Sequence, residues 1–202
     1  MSGADGLTTR ADRTSALAAE VVAVLRERSL TVATAESLTG GLVGAALTDV
    51  PGASAVYRGG LIVYATALKA ALAGVSDHTL ATDGPVAATT ATELARGAAR
   101  VCGADWGLAT TGVAGPEPQD GHPVGQVFVA VAGPGPRVGG EDRPVRVREL
   151  DLGGDRAAIR AQTVQAVFAL LLDAVRAVVD ETGSRPDDDA RRSDGSDPGP
   201  LS

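Results

Sequence analysis

The 202-residue sequence is poor in aromatics, with one Trp, two Tyr and two Phe. Its core must be built from small aliphatic side chains, and the ring platforms on which single-stranded nucleic acid stacks are missing. A net charge of −7 and the lack of a basic stripe also argue against nucleic acid as a partner, while leaving a local anionic ligand open. The single cysteine, Cys102, excludes an internal disulfide and fits a reducing compartment, so a cytoplasmic location is expected. With only two histidines beside it, a His/Cys metal site is not expected, and carboxylate ligands stay open. No apolar run reaches the roughly 20 residues of a spanning helix, and the N-terminal MSGADGLTTRADR has no apolar segment. Neither a membrane partner nor a signal peptide is expected.

Lysine is scarcer still. Of the 18 basic residues, 17 are arginines and one is Lys69. The bias toward arginine is compositional, but the one exception has a chemical meaning. Arginine keeps its proton near neutral pH, whereas lysine loses it when desolvated or placed near another cation. Chance placement on a solvated surface is the competing reading.

What is present suits one globular domain: 44% hydrophobic residues, mostly Ala, Val and Leu, in a chain too short for two comfortable domains. Residues 1–12 are small and polar and read as a flexible N-terminus. Residues 13–182 read as the domain. Residues 183–202, polar and rich in Pro and Gly without apolar periodicity, read as a disordered acidic tail.

Apolar spacing predicts helices over Thr14–Arg28, Gly40–Leu47 and Ala65–Ala73. A further helix is expected from Asp83-Gly84-Pro85 to Cys102, and a last one from Gly154-Asp155 to about Glu181. Val75–Thr82 reads as loop. Strands are expected at Leu30–Ala35, in one or two pieces over Ser54–Tyr64, and at Trp106–Thr111, Gln126–Ala132 and Val145–Leu152. The Gly59-Gly60 pair marks a bulge or a close backbone approach. The last two strands, joined by the Gly/Pro-rich 133–144, read as an antiparallel hairpin. This order predicts a three-layer α/β/α sandwich with a mixed, mostly parallel sheet.

Two glycine-rich junctions follow strands, where ligands gather in open α/β sheets. The first is TAESLTGGL, residues 34–42. A serine between strand and helix lies near amides without intrahelical partners, which cap a side chain, bind an anion or stabilise an oxyanion. Ser37 or Thr39 as a plain N-cap is the simpler reading. The stretch is neither a G-x-S-x-G elbow nor a P-loop. If Ser37 is a nucleophile it needs a base, and the candidates are His78, His122 and, more attractively, Lys69. Tyr64 can polarise that pair, relay a proton, stack on a flat ring or simply sit at a core boundary. Gly40 and Gly41 permit a ligand close to the backbone, and with Thr39 they are the candidate substrate-binding residues of this turn. The second junction, TTGVAGP, offers Thr111 and the amides after it, Gly112 among them, to a carboxamide or phosphate oxygen, or is a tight turn only. Asp155 is a natural N-cap, and Arg156 either meets an anion or is a surface cation.

Taken together, TAESLTGGLVGAALTDVPGASAVYRGGLIVYATALKAALAGV, TGVAGPEPQDGHPVGQVFVAVAG and LGGDRAAIRAQTV resemble the C-terminal domain of the competence/damage-inducible protein CinA, over residues 15–178. That family also occurs as stand-alone nicotinamide-nucleotide amidohydrolases. The resemblance implies an α/β/α fold, no cofactor, a homo-oligomer (a dimer), and hydrolysis of nicotinamide mononucleotide to nicotinate mononucleotide and ammonia. It places the nucleophile on Ser37, the paired lysine on Lys69, the tyrosine of Y-x₄-K on Tyr64, and substrate contacts on Thr111 and Arg156. Leu38 stands where many members have Cys, next to the nucleophile, and should not remove the chemistry. Full-length members carry a further N-terminal domain associated with pyrophosphatase activity, which is not expected here. Another amidase, with His122 as base, or a non-catalytic nucleotide-binding or interaction module are the other expectations open.

Overall fold

A computed structural model describes residues 9–134 and 143–183, with side chains up to residue 178. Five strands form one sheet in the order β2-β1-β3-β4-β5: β1 (Val32–Glu36), β2 (Tyr57–Ile62), β3 (Trp106–Gly112), β4 (Gln126–Ala132) and β5 (Val145–Asp151). β2, β1 and β3 pair in parallel, while β4 is antiparallel to both β3 and β5. The sheet is therefore mixed with one reversed strand. The connection between β4 and β5 lies largely outside the described residues.

Alternation along the strands divides the core in two. Val32, Trp106, Leu108, Val127, Val129 and Val131 face one side, under α1 (Arg10–Glu27), α2 (Leu42–Thr48) and α6 (Arg156–Gly183). Ala33, Ala35, Ala109, Phe128, Ala130 and Ala132 face the other, under α3 (Thr66–Ala73) and α5 (Ala88–Cys102). The result is the three-layer sandwich. The 23-residue stretch Arg156–Val178 is long and apolar enough to cross a membrane by composition, but it supplies Ile159, Val167, Phe168 and Leu171 to the first core.

The alanine-lined side is thin, and glycine makes it thinner. A Cβ on Gly107 would lie 1.9 Å from the Ala95 carbonyl oxygen, so α5 presses directly on β3. A Cβ on Gly97 would lie 2.0 Å from the Ala73 carbonyl oxygen, so α3 presses directly on α5. These contacts set the position of α3, which carries Lys69.

Several boundaries differ from the sequence expectations. α1 starts at Arg10, within the segment expected to be flexible, because Thr9 and Asp12 form a reciprocal capping box. The expected loop 75–82 contains a short helix, α4 (Asp77–Thr82), capped by Ser76. α5 opens at Ala88 rather than at Pro85, which leaves the Pro85 carbonyl free to accept a hydrogen bond from β3. β2 runs unbroken through Gly59-Gly60. There the register with β1 shifts, and a Cβ on Gly60 would lie 2.2 Å from Thr34 Oγ1, so the pair marks both a bulge and a close approach. The tail beyond residue 183 lies outside the described residues.

Candidate functional site

The carboxyl ends of the three parallel strands converge. β1 has β2 on one side and β3 on the other, and the chain leaves it toward β2 through the first helical layer and reaches β3 through the second. Such a reversal opens a crevice at the strand ends. Ser37 follows β1, Val63 and Tyr64 follow β2, and Thr111 and Gly112 close β3. A pocket of about 90 Å³ there is lined by Ser37, Lys69, Tyr64, Thr111, Gly112 and Arg156 together with Leu38, Pro85, Glu117 and Gln119.

Ser37 and Lys69 meet across this edge. Lys69 Nζ lies 3.0 Å from Ser37 Oγ and 2.8 Å from the Val63 carbonyl oxygen. Lys69 is 1% exposed and Ser37 8%. Burial disfavours the ammonium and lowers the lysine pKa from 10.5 to about 8. A neutral amine has two N–H groups and one lone pair. With one N–H directed to the Val63 carbonyl, the nitrogen can turn its lone pair to the Ser37 hydroxyl. The arrangement can thus move the serine proton.

The turn after Ser37 is held by two charged side chains that the sequence reading left out or barely noted. Glu36, 2% exposed, accepts from the backbone amides of Gly41, Val43 and Gly44 at 2.8–3.0 Å. Its carboxylate occupies the positive end of α2. Arg160, on α6, donates from Nε to the Leu38 carbonyl at 2.9 Å and from Nη2 to the Thr39 carbonyl at 2.7 Å. Gly40 and Gly41 both take positive φ, 59° and 101°, as the tight turn requires.

This corrects the expected roles of three residues. The Gly41 amide belongs to Glu36, and the Gly40 amide donates to the Ser37 carbonyl at 3.1 Å. Neither is left for a ligand. Thr39 is fully buried, with Oγ1 2.8 Å from Thr110 Oγ1, and does not line the pocket. It ties the turn to β3.

The remaining candidates divide between floor and rim. Thr111 is buried in the floor and donates its hydroxyl proton to the Pro85 carbonyl at 2.6 Å, leaving its oxygen as an acceptor. Tyr64 is 59% exposed, and its hydroxyl meets Arg156 Nη2 at 3.0 Å rather than Lys69. Arg156 also donates from Nη1 to the Gly115 carbonyl at 2.7 Å. The two form one wall of the mouth, so Tyr64 is placed to flank a ring and not to assist the lysine. His78 and His122 do not line the pocket, and His122 Nδ1 pairs with Gln126 Oε1 at 2.8 Å. Asp155 Oδ1 accepts from the Ala158 amide at 2.7 Å, as expected of an N-cap. Glu117 and Gln119, from the loop after the second junction, complete the mouth.

Fold and site together define an α/β/α domain with a buried serine–lysine pair at the switch of its sheet. The sequence profile of the CinA C-terminal domain matches residues 14–175, and the chain belongs to that family. A CinA-like protein of Frankia casuarinae is 46% identical over 151 residues, covering 75% of this chain and 33% of that protein. A putative competence-damage inducible protein of Halothermothrix orenii is 43% identical over 161 residues, covering 79% of this chain and 37% of that protein. The chain spans about a third of the length of these curated relatives. Among solved structures, the competence/damage inducible protein CihA from Agrobacterium tumefaciens superposes with a TM-score of 0.74 at 34% identity, over 81% of this chain and 96% of that one. A CinA superfamily protein from Escherichia coli gives 0.71 at 30% identity, over 86% and 94%.

Proposed function

We propose that the domain hydrolyses the carboxamide of nicotinamide mononucleotide to nicotinate mononucleotide and ammonia, with Ser37 as nucleophile and Lys69 as base. The observation that carries this reading is the buried 3.0 Å contact between Lys69 Nζ and Ser37 Oγ. With a pKa of about 8, about a tenth of Lys69 is neutral at pH 7, against about 0.03% of an ordinary lysine.

Ser37 Oγ adds to the carboxamide carbon while its proton passes to Lys69 Nζ and the carbonyl π pair moves to oxygen. The tetrahedral intermediate re-forms its carbonyl and expels the amine, which leaves as ammonia after taking the proton from Lys69. Water then adds to the Ser37 ester and gives a proton to Lys69; the second tetrahedral intermediate breaks its bond to Ser37 Oγ, which takes that proton back from Lys69, and the acid leaves. Thr111 Oγ1, its own proton committed to Pro85, accepts from the carboxamide N–H. Arg156 pairs with the phosphate, and Tyr64 flanks the pyridine.

The pocket supports a substrate that is only partly enclosed. Its 90 Å³ is well below the roughly 300–1,000 Å³ that engulfs a drug-sized ligand, so it admits a small planar group and leaves the ribose and phosphate across the rim. We place the enzyme in the cytoplasm as a homodimer, as the family resemblance suggests. The test is ammonia release from nicotinamide mononucleotide by the full chain beside Ser37→Ala and Lys69→Arg. Release by the parent and its loss in both variants is expected. Release at the parent rate by Lys69→Arg, which keeps the charge and loses the base, would exclude the pair as the catalytic unit.

A further inference from the structure

Three carbonyls in succession are anchored after the nucleophile. The Ser37 carbonyl accepts from the Gly40 amide at 3.1 Å, and the Leu38 and Thr39 carbonyls accept from Arg160 at 2.9 and 2.7 Å. In a planar trans peptide, the N–H points opposite to the C=O. Anchoring the Ser37 carbonyl therefore fixes the Leu38 N–H, and anchoring the Leu38 carbonyl turns the Thr39 N–H away from the guanidinium. The other amides here are engaged: Ser37 donates to the Thr110 carbonyl at 3.0 Å, Gly40 to Ser37, Leu42 to the Thr39 carbonyl at 3.3 Å beside Arg160, and Gly41, Val43 and Gly44 to Glu36. Among the described residues, the amides of Leu38 and Thr39 have no acceptor. Leu38 lines the pocket beside Ser37. Thr39 does not, so the Leu38 N–H is the open donor of the turn beside the nucleophile.

We infer that Arg160 is a positioning residue: by holding the Thr39 carbonyl it fixes the Gly40 N–H that anchors the Ser37 carbonyl, and so holds the Leu38 amide, on the other side of that peptide, toward the oxyanion that forms when Ser37 attacks a carbonyl. Arg160 itself donates to the carbonyl side of these peptides. A side chain from α6, over 120 residues away in sequence, thus orders the donor beside the nucleophile. One donor from one nitrogen would fix one peptide. The planar guanidinium fixes two with a defined angle between them, which an ammonium cannot do.

The inference takes its substrate from the amide-hydrolysis reading, but its test does not depend on that reading. Pyridine-3-boronic acid accepts Ser37 Oγ on boron, with the serine proton passing to Lys69. The tetrahedral anion that results mimics the intermediate. Its affinity is measured by titration and its geometry by boron NMR, for the full chain and for Arg160→Gln, Arg160→Lys and Ser37→Ala, with folding checked by circular dichroism and urea unfolding. Arg160→Gln is expected to weaken the adduct at least tenfold, Arg160→Lys at least threefold, and Ser37→Ala to abolish it. No tetrahedral adduct with the parent, or affinities of both Arg160 variants within twofold of the parent, would overturn the inference. Arg160→Lys carries the test if Arg160→Gln does not fold.

A second arm uses turnover. Arg160→Gln should lose about 10²–10³ in kcat with KM changed less than threefold, the loss typical of a missing oxyanion donor. Its preference for nicotinamide mononucleotide over the thioamide analogue should fall at least tenfold, because sulfur accepts hydrogen bonds poorly. A loss of kcat with an unchanged preference would assign Arg160 a general structural role and overturn the inference. Absence of ammonia release by the parent would count against the amide-hydrolysis reading, and the boronate arm would then decide the role of Arg160.

Discussion

Replacing Lys69 with methionine tests the state of the buried amine without any substrate. The side chain is 1% exposed, and its ammonium is disfavoured there, with a pKa of about 8 against 10.5 in the unfolded chain. The unfolded state therefore binds more protons than the folded state between these values, so stability rises with pH across that window. The charge destabilises the fold by about 3 kcal/mol at pH 7 and by about 1 kcal/mol at pH 9.5, a change of about 2 kcal/mol. Methionine fills similar space and does not titrate. It also removes the hydrogen bonds to Ser37 and the Val63 carbonyl, which costs about 1–3 kcal/mol at either pH. Urea unfolding of parent and variant at both pH values separates the two effects. The stability of Lys69→Met relative to the parent should fall by about 2 kcal/mol from pH 7 to pH 9.5. A difference that stays constant with pH would show that Lys69 keeps an ordinary pKa in the fold, and would refute the neutral-base argument.

Other perturbations address the rim and the scaffold. Arg156→Gln should raise KM for nicotinamide mononucleotide about tenfold, the worth of one charged hydrogen bond, and leave KM for the riboside lacking the phosphate unchanged. Equal effects on both would remove Arg156 from the phosphate. Tyr64→Phe should change kcat by no more than about fivefold, because the lost contact is one exposed hydrogen bond to Arg156 and not a bond to Lys69. A hundredfold loss would return Tyr64 to the proton path. Gly97→Ala should destabilise the domain by about 1–3 kcal/mol in urea unfolding, since its Cβ would drive α3 off α5 at the Ala73 carbonyl. Parent-like stability would show that α3 is free to shift.

The sequence showed the layers and the central pair for identifiable reasons. The apolar run QVFVAVA marked β4 and the alternation of VRVRELDL marked β5, and the apolar periods of α1 and α6 were long enough to read. Lys69 stood out because every other basic residue is arginine, and position after a strand put Tyr64 and Thr111 at the sheet edge, while the family resemblance singled out Arg156. What stayed hidden depends on contacts between distant segments. Glu36 sits beside Ser37 in the motif, yet its pairing with three amides appears only when the chain turns back at Gly40 and Gly41. Arg160 reaches the same turn from α6, and no local pattern foretells such a contact. Nothing in the sequence sets the glycines at 97 and 107 apart from ordinary ones in a helix and a strand, but each marks a backbone approach that sets the depth of a layer. α4 was missed because its six residues offer too short a period, although Ser76 with Thr79 gives the cap its signal in retrospect.

The central claim is that Ser37 reacts when Lys69 is neutral. The pH dependence of kcat/KM for ammonia release from nicotinamide mononucleotide tests it most directly, because that ratio reports the free enzyme. The account predicts a tenfold rise per pH unit below a midpoint near pH 8, and no corresponding activity in Lys69→Arg at any pH. A rate that is flat from pH 6 to 9, or a midpoint near 10.5, would contradict it.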